Sequence, residues 1–230
     1  MRRKLLLKPG QPERLHIQLL HFKQKYNWDC GISCVLMVLP KRQRQHLLKN
    51  FVKICKKEGF YGSTWTIDLC YLLKRYGINH VYYTVTLGVH PGYRGNSFYN
   101  NILTKDESRI NRRFETAKSD GVVIERASVT CATILDHLIN GPVIVLTNAR
   151  LLNCDVCKLN KISTELRKCI PWPISYQGHF IVLCGYDLNS RKVYYRNPSF
   201  ADRVCIMSVE TLEEARKSYG TDEDVILVYT

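Results

Sequence analysis

"QKYNWDCGISCVLMVL", residues 24–39, sets a cysteine between an aspartate and a glycine where an apolar run begins. The run stops at Pro40, so residues 30–39 are expected as a helix starting on Cys30. A cysteine there is either a small core hydrophobe or a thiol whose negative charge is eased by the free amides of the first turn. Asp29 is the expected N-cap, its carboxylate accepting from those amides. Gly31 is expected to keep the approach to the sulfur open. Gln24 is placed to offer its amide N–H₂ to an oxyanion forming beside the thiol.

A thiol nucleophile needs a base, and the base needs an orienting group. His179 opens the apolar strand "HFIVLCGYD" (179–187), with "KVYYRNP" (192–198) following as its hairpin partner. With Asn189 and Ser190 in the turn, antiparallel pairing brings Asn197 close to His179, where its carbonyl can accept the imidazole Nδ1–H. A structural histidine at a strand end is the competing reading.

The rest of the chain divides in the same way. Helices are expected over 43–57, 64–77, 107–118, 129–139 and 209–218, and strands over 79–88, 141–149 and 225–229. Helices come first and hairpin strands later, which gives an α+β fold. Residues 1–22 read as an N-terminal arm and 23–230 as a single domain.

Hydrophobic content of 45% and charged content of 23% are globular values. No apolar run approaches the ~18 residues that span a bilayer, so no membrane association is expected. "MRRKLLLKPG" imitates a signal peptide for three leucines and then stops, which points to the cytoplasm or nucleus. The ten cysteines there are free thiols, ligands or catalysts rather than a disulfide framework. A net charge of +14 favours acidic partners, nucleic acid among them. The basic residues are dispersed, however, and no nucleic-acid motif organises them. Cys154 and Cys157 have zinc-knuckle spacing, with Cys169 a third candidate. No fourth ligand stands nearby, so no structural zinc is expected. "GYRGNSFYNN" (92–101) reads either as a substrate-contacting loop or as a glycine-rich surface loop.

Gln24, "DCG", "HFIVLCGYD" and the Asn197–Pro198 pair together resemble the C39-like branch of papain-fold cysteine peptidases. That resemblance implies Cys30 as nucleophile, His179 as base, Asn197 as third member and Gln24 as oxyanion donor. C39 peptidases usually carry Asp before the proline; papain-like enzymes use Asn. A resemblance along nearly the whole chain is carried by "YNWDCGISC", "STWTIDLCYLLKRYG", "TLGVHPGYRGNSFY", "YQGHFIVLCGYD", "NPSFADR" and "EEARKSYGTDEDVILVY". These are similar to the eukaryotic guanylyl cyclase domain-containing protein 1 family. The family name implies cyclisation of GTP to cyclic GMP with magnesium or manganese, whereas the fold it implies is papain-like.

The residues favour the hydrolase. No G-x-x-x-x-G-K-[ST] loop is present, and the one dense carboxylate cluster, Asp222, Glu223 and Asp224, reads as a helix-to-strand turn. The expected protein is therefore a thiol hydrolase acting on a peptide or protein substrate without a cofactor. Guanylyl cyclase and a non-catalytic partner-binding domain are the alternatives. Nothing in the sequence fixes an oligomeric state.

Overall fold

A strand buried on one face alternates apolar and polar residues; one buried on both is apolar throughout. "VIVL" (143–146) and "VILV" (225–228) are of the second kind, and both lie in the middle of the sheet. The computed structural model describes residues 10–60, 62–95, 97–156 and 176–230. In chain order its elements are β1 (Arg14–His16), α1 (Cys30–Val38), α2 (Lys41–Lys49), α3 (Phe51–Glu58), α4 (Thr66–Arg75), β2 (His80–Thr84), α5 (Ser97–Thr116), β3 (Ile124–Arg126), α6 (Cys131–His137), β4 (Val143–Asn148), β5 (Gly178–Asp187), β6 (Lys192–Arg196), β7 (Cys205–Ser208), α7 (Val209–Arg216) and β8 (Val225–Val228).

The sheet runs β3-β2-β8-β4-β5-β6-β7, and β1 pairs with the end of β5. The neighbours are antiparallel except for β2 and β3. Alternation sorts the central strands. Ile144, Leu146, Phe180, Val182, Ile226 and Val228 pack with residues of α1, α3, α4 and α5. Val143, Val145, Ile181, Leu183, Val225 and Leu227 pack with α6 and α7 on the other side. The α+β class is found, with the cysteine on an N-terminal helix and the histidine on an antiparallel strand.

Several local expectations needed revision. The helix expected over 43–57 is broken at Asn50, whose backbone and side-chain amides both donate to the His46 carbonyl. A short polar side chain competing for a helix carbonyl ends α2 and lets α3 begin. The helix expected from 107 starts at Ser97, ten residues earlier. Three short strands went unrecognised, β1, β3 and β7, of three or four residues each. A run that short carries too little alternation to be seen. Residues 14–16 of the N-terminal arm pair with 185–187, so this part of the arm is sewn into the sheet.

α1 is wedged between β5 and α4. A Cβ on Gly31 would sit 2.9 Å from the Leu69 methyls and 3.0 Å from the Phe180 ring. The glycine therefore serves close packing rather than the approach of a substrate, correcting its expected role. On the far side of α4, Asp68 accepts from Arg109 and Arg113, and Glu58 from Arg75 and Arg113, tying α3, α4 and α5 together. Among the described residues no helix is long and apolar enough to cross a membrane.

Candidate active site

Cys30 is the first residue of α1 and is buried. Its sulfur accepts from the amides of Phe180, Gly31 and Cys30 itself, each of which favours the thiolate. Burial outweighs them, and the thiol is pushed up to about 11. The expected lowering by the helix start is thereby reversed. Cys55 is also pushed up to about 11, so Cys30 is not singled out for ionisation. Asp29 adds to the effect. Its side chain does not cap α1 but turns back to accept the amides of Lys25 (3.1 Å) and Tyr26 (3.0 Å). The carboxylate closes the loop before the helix, and its charge opposes a thiolate next door.

His179 and Asn197 come together as β5 and β6 pair. The imidazole Nε2 lies 2.9 Å from Asn197 Oδ1, and both residues are buried. The ring nitrogen facing the amide is Nε2, not the expected Nδ1. Burial lowers the His179 pKa, while the Asn197 hydrogen bond works against that shift. Ser199, which the sequence reading passed over, joins the pair. Its amide donates to Asn197 Oδ1 (3.0 Å), its hydroxyl donates to Gln24 Oε1 (3.0 Å), and that hydroxyl lies 3.4 Å from His179 Nε2. The Asn-Pro-Ser sequence was the available signal, since it forms the turn closed by Phe200 N–H on the Asn197 carbonyl. Gln24 is anchored beside this turn, its backbone amide donating to the Pro198 carbonyl. Its side-chain N–H₂ donates to the Tyr26 carbonyl at 2.7 Å, so it is engaged locally rather than directed at the sulfur.

The two halves meet along β5. The sulfur takes the amide of Phe180, and His179 is the residue before it. Among the described residues no hydrogen bond joins the sulfur to the imidazole. Cys30 instead opens on a cavity of about 220 Å³ whose lining includes Trp65, Phe98, Tyr99, Tyr176, Asp222 and Asp224. Trp65 stands at the head of α4 and donates Nε1–H to Asp106 at 3.0 Å. Phe98 and Tyr99 belong to the 92–101 stretch, which is helical from Ser97 onward.

Asp222 and Asp224 do occupy a turn between α7 and β8, and Asp222 and Glu223 adopt positive φ there (48° and 53°). The turn also supplies a wall of the cavity. Asp224 accepts from Thr66 and, at 2.9 Å, from Tyr82; Asp222 accepts from Thr86 at 2.8 Å and from Tyr93. Burial and the neighbouring Asp222 charge push Asp224 up to about 8, and burial raises Asp222. Buried carboxylates whose pKa values are raised and which are occupied by hydroxyl donors fit a magnesium or manganese ion poorly. Among the described residues no cluster of three or more His, Cys, Asp or Glu could hold a metal. Cys154 is buried, while Cys157 and Cys169 lie outside the described residues.

A solved structure described as a C39-like peptidase from Bacillus anthracis aligns at 22% identity with a TM-score of 0.29. It covers 44% of this chain and 47% of that chain, about half the length of each. Guanylyl cyclase 1 of Arabidopsis thaliana is 34% identical over 221 residues, covering 95% of this chain and 78% of that protein. The pattern of the family described as guanylylate cyclase matches residues 19–228. The stretch it matches runs from just before Gln24, through Cys30, His179 and Asn197, to the end of β8, and on that evidence the chain belongs to the guanylylate cyclase family.

Proposed function

We propose that the chain is a papain-like thiol hydrolase that cleaves an amide bond of a peptide or protein. The observation that carries this is the buried His179 Nε2–Asn197 Oδ1 hydrogen bond of 2.9 Å. It uses one ring nitrogen for orientation and leaves Nδ1 for proton transfer, one residue before the amide that holds the Cys30 sulfur. With the thiol pKa raised and the imidazole pKa lowered, the resting pair is neutral. Nδ1 takes the thiol proton as sulfur attacks the carbonyl carbon. It then delivers that proton to the departing amine, leaving a thioester on Cys30. Water, deprotonated by the same imidazole, releases the acid and restores the thiol. The Cys30 amide is the first oxyanion donor. Gln24 becomes the second on exchanging its bond to the Tyr26 carbonyl.

The second reading is the activity in the family's name, conversion of GTP to cyclic GMP, and membership of that family favours it. Labelling with an acyl electrophile selective for cysteine hydrolases, run beside a GTP turnover assay with magnesium or manganese, tests the two together. The hydrolase reading expects label on Cys30 that is lost in Cys30→Ala and His179→Ala. Metal-dependent cyclic GMP formation, with labelling indifferent to His179→Ala, would replace it with the cyclase.

A further inference from the structure

The cavity beside Cys30 is at odds with the rest of the molecule. The chain carries 34 Lys and Arg against 20 Asp and Glu, yet the described residues lining this cavity include two aspartates and no Lys or Arg. Buried carboxylates are normally paired with a cation. Among the described residues neither Asp222 nor Asp224 has a Lys or Arg partner; hydroxyl groups of Thr66, Tyr82, Thr84, Thr86 and Tyr93 are what they accept from. The other lining is aromatic. Tyr99 stacks on Tyr176 with centroids 5.6 Å apart and lies 5.3 Å from Trp65, while Phe98 meets Tyr176 edge-on at 5.1 Å. Aromatic rings and a carboxylate pair lining one cavity suit an organic cation, which gains from both the ring quadrupoles and the negative charge.

We propose that this cavity is a subsite for a basic side chain, the guanidinium or ammonium group of a substrate residue close to the bond that Cys30 attacks. The inference rests on the hydrolase reading for its link to Cys30, and on the cavity alone for its choice of cation. Charge explains the arrangement. The cation missing from the aspartate pair arrives with the ligand and displaces the proton the pair holds at rest. The other titratable groups around the pair are His90, whose charge favours ionised Asp222, the Cys70 thiol, and the phenols of Tyr82, Tyr93, Tyr99 and Tyr176; the thiol and the phenols are all raised and neutral. Preference for a cation should therefore strengthen as pH rises towards the Asp224 value of about 8.

The test compares benzoyl-arginine amide with benzoyl-citrulline amide, which has the same shape without the charge. Binding is measured by calorimetry on the full chain carrying Cys30→Ser, in two buffers of different ionisation enthalpy. The arginine compound is expected to bind at least tenfold tighter and to release a proton. The ratio should fall towards one in Asp222→Asn. That variant is chosen because Asp222 is half-buried and Asn tolerates its positive φ of 48°. Equal affinities, or a preference that survives Asp222→Asn unchanged, would overturn the subsite. An unmutated chain that binds the arginine amide without cleaving it would retire the hydrolase and keep the subsite. Cleavage of both amides at equal rates would do the reverse.

Discussion

The chemistry of Cys30 is decided by competition between burial and three amide hydrogen bonds, and burial prevails. Alkylation of Cys30 by iodoacetamide should accordingly be slow near neutrality and climb with pH toward about 11. Mass spectrometry of the labelled thiols would follow it. Asn197→Asp puts a carboxylate against His179 Nε2 and raises the imidazole pKa. An imidazolium would then stabilise the thiolate, raising Cys30 alkylation at neutral pH by about tenfold for each pKa unit gained. If Cys30 and Cys55 keep the same profile in this variant, the imidazole does not reach the sulfur. Asp224 carries a second pH dependence. Its folded pKa of about 8 lies above the ordinary 3.8, so the folded state holds a proton that the unfolded chain has lost. That contribution is complete below the unfolded value and is lost as pH rises through the folded one. Asp224→Asn cannot ionise. The melting temperature of the variant relative to the parent should therefore increase between pH 4 and 8, by roughly 2–4 °C per kcal/mol. A gap independent of pH would mean that Asp224 ionises normally. Residue types alone pointed to Cys30, His179 and Asn197. The pKa directions could not be read from them, because desolvation depends on what packs around a group.

Two glycines show how closely the elements approach one another. Gly31→Ala would drive a methyl into Leu69 and Phe180, both of which are packed, and should cost about 1–3 kcal/mol in denaturant unfolding. No measurable loss would mean that α1 can slide on β5. At Gly185 the obstruction is main chain. A Cβ there would run into the Leu15 carbonyl oxygen and come within 3.0 Å of His16 Cα. Gly185→Ala should thus release β1 from β5 and expose residues 10–20 to limited proteolysis, with the Cys30 alkylation profile unchanged. Protection equal to the parent would show that β1 is held by other means. Long elements were legible in advance: α1, α4, β4 and the β5–β6 hairpin carry strong apolar patterns and clear stops. β1 was not, since a three-residue strand owes its place to a gap in its partner rather than to its own composition. The break at Asn50 was hidden for a related reason, since apolar spacing continues across it while a single side chain takes the helix carbonyl.

For the molecule as a whole, a surplus of positive charge surrounds a cavity walled by two acids, and neither was visible as a pair with Cys30 until the sheet brought them together. Asp222 and Asp224 stand almost 200 residues from Cys30 in sequence. Local patterning carries no information over that separation, which is why the acidic cluster read only as a turn. The same long reach governs the sheet. β8 lies between β2 and β4, and among the described residues it alone joins the β2–β3 pair to the run from β4 to β7. On a ribosome the chain emerges from its N-terminus, so this bridging strand appears after every strand it must join. The stretch from the end of β7 at Ser208 to the start of β8 at Val225 takes roughly 1–3 s to synthesise. For that interval two half-sheets present open, apolar edges, each a template for pairing with another chain. A nascent protein of this design has reason to engage chaperones until its final strand is made, and its cavity cannot exist before then.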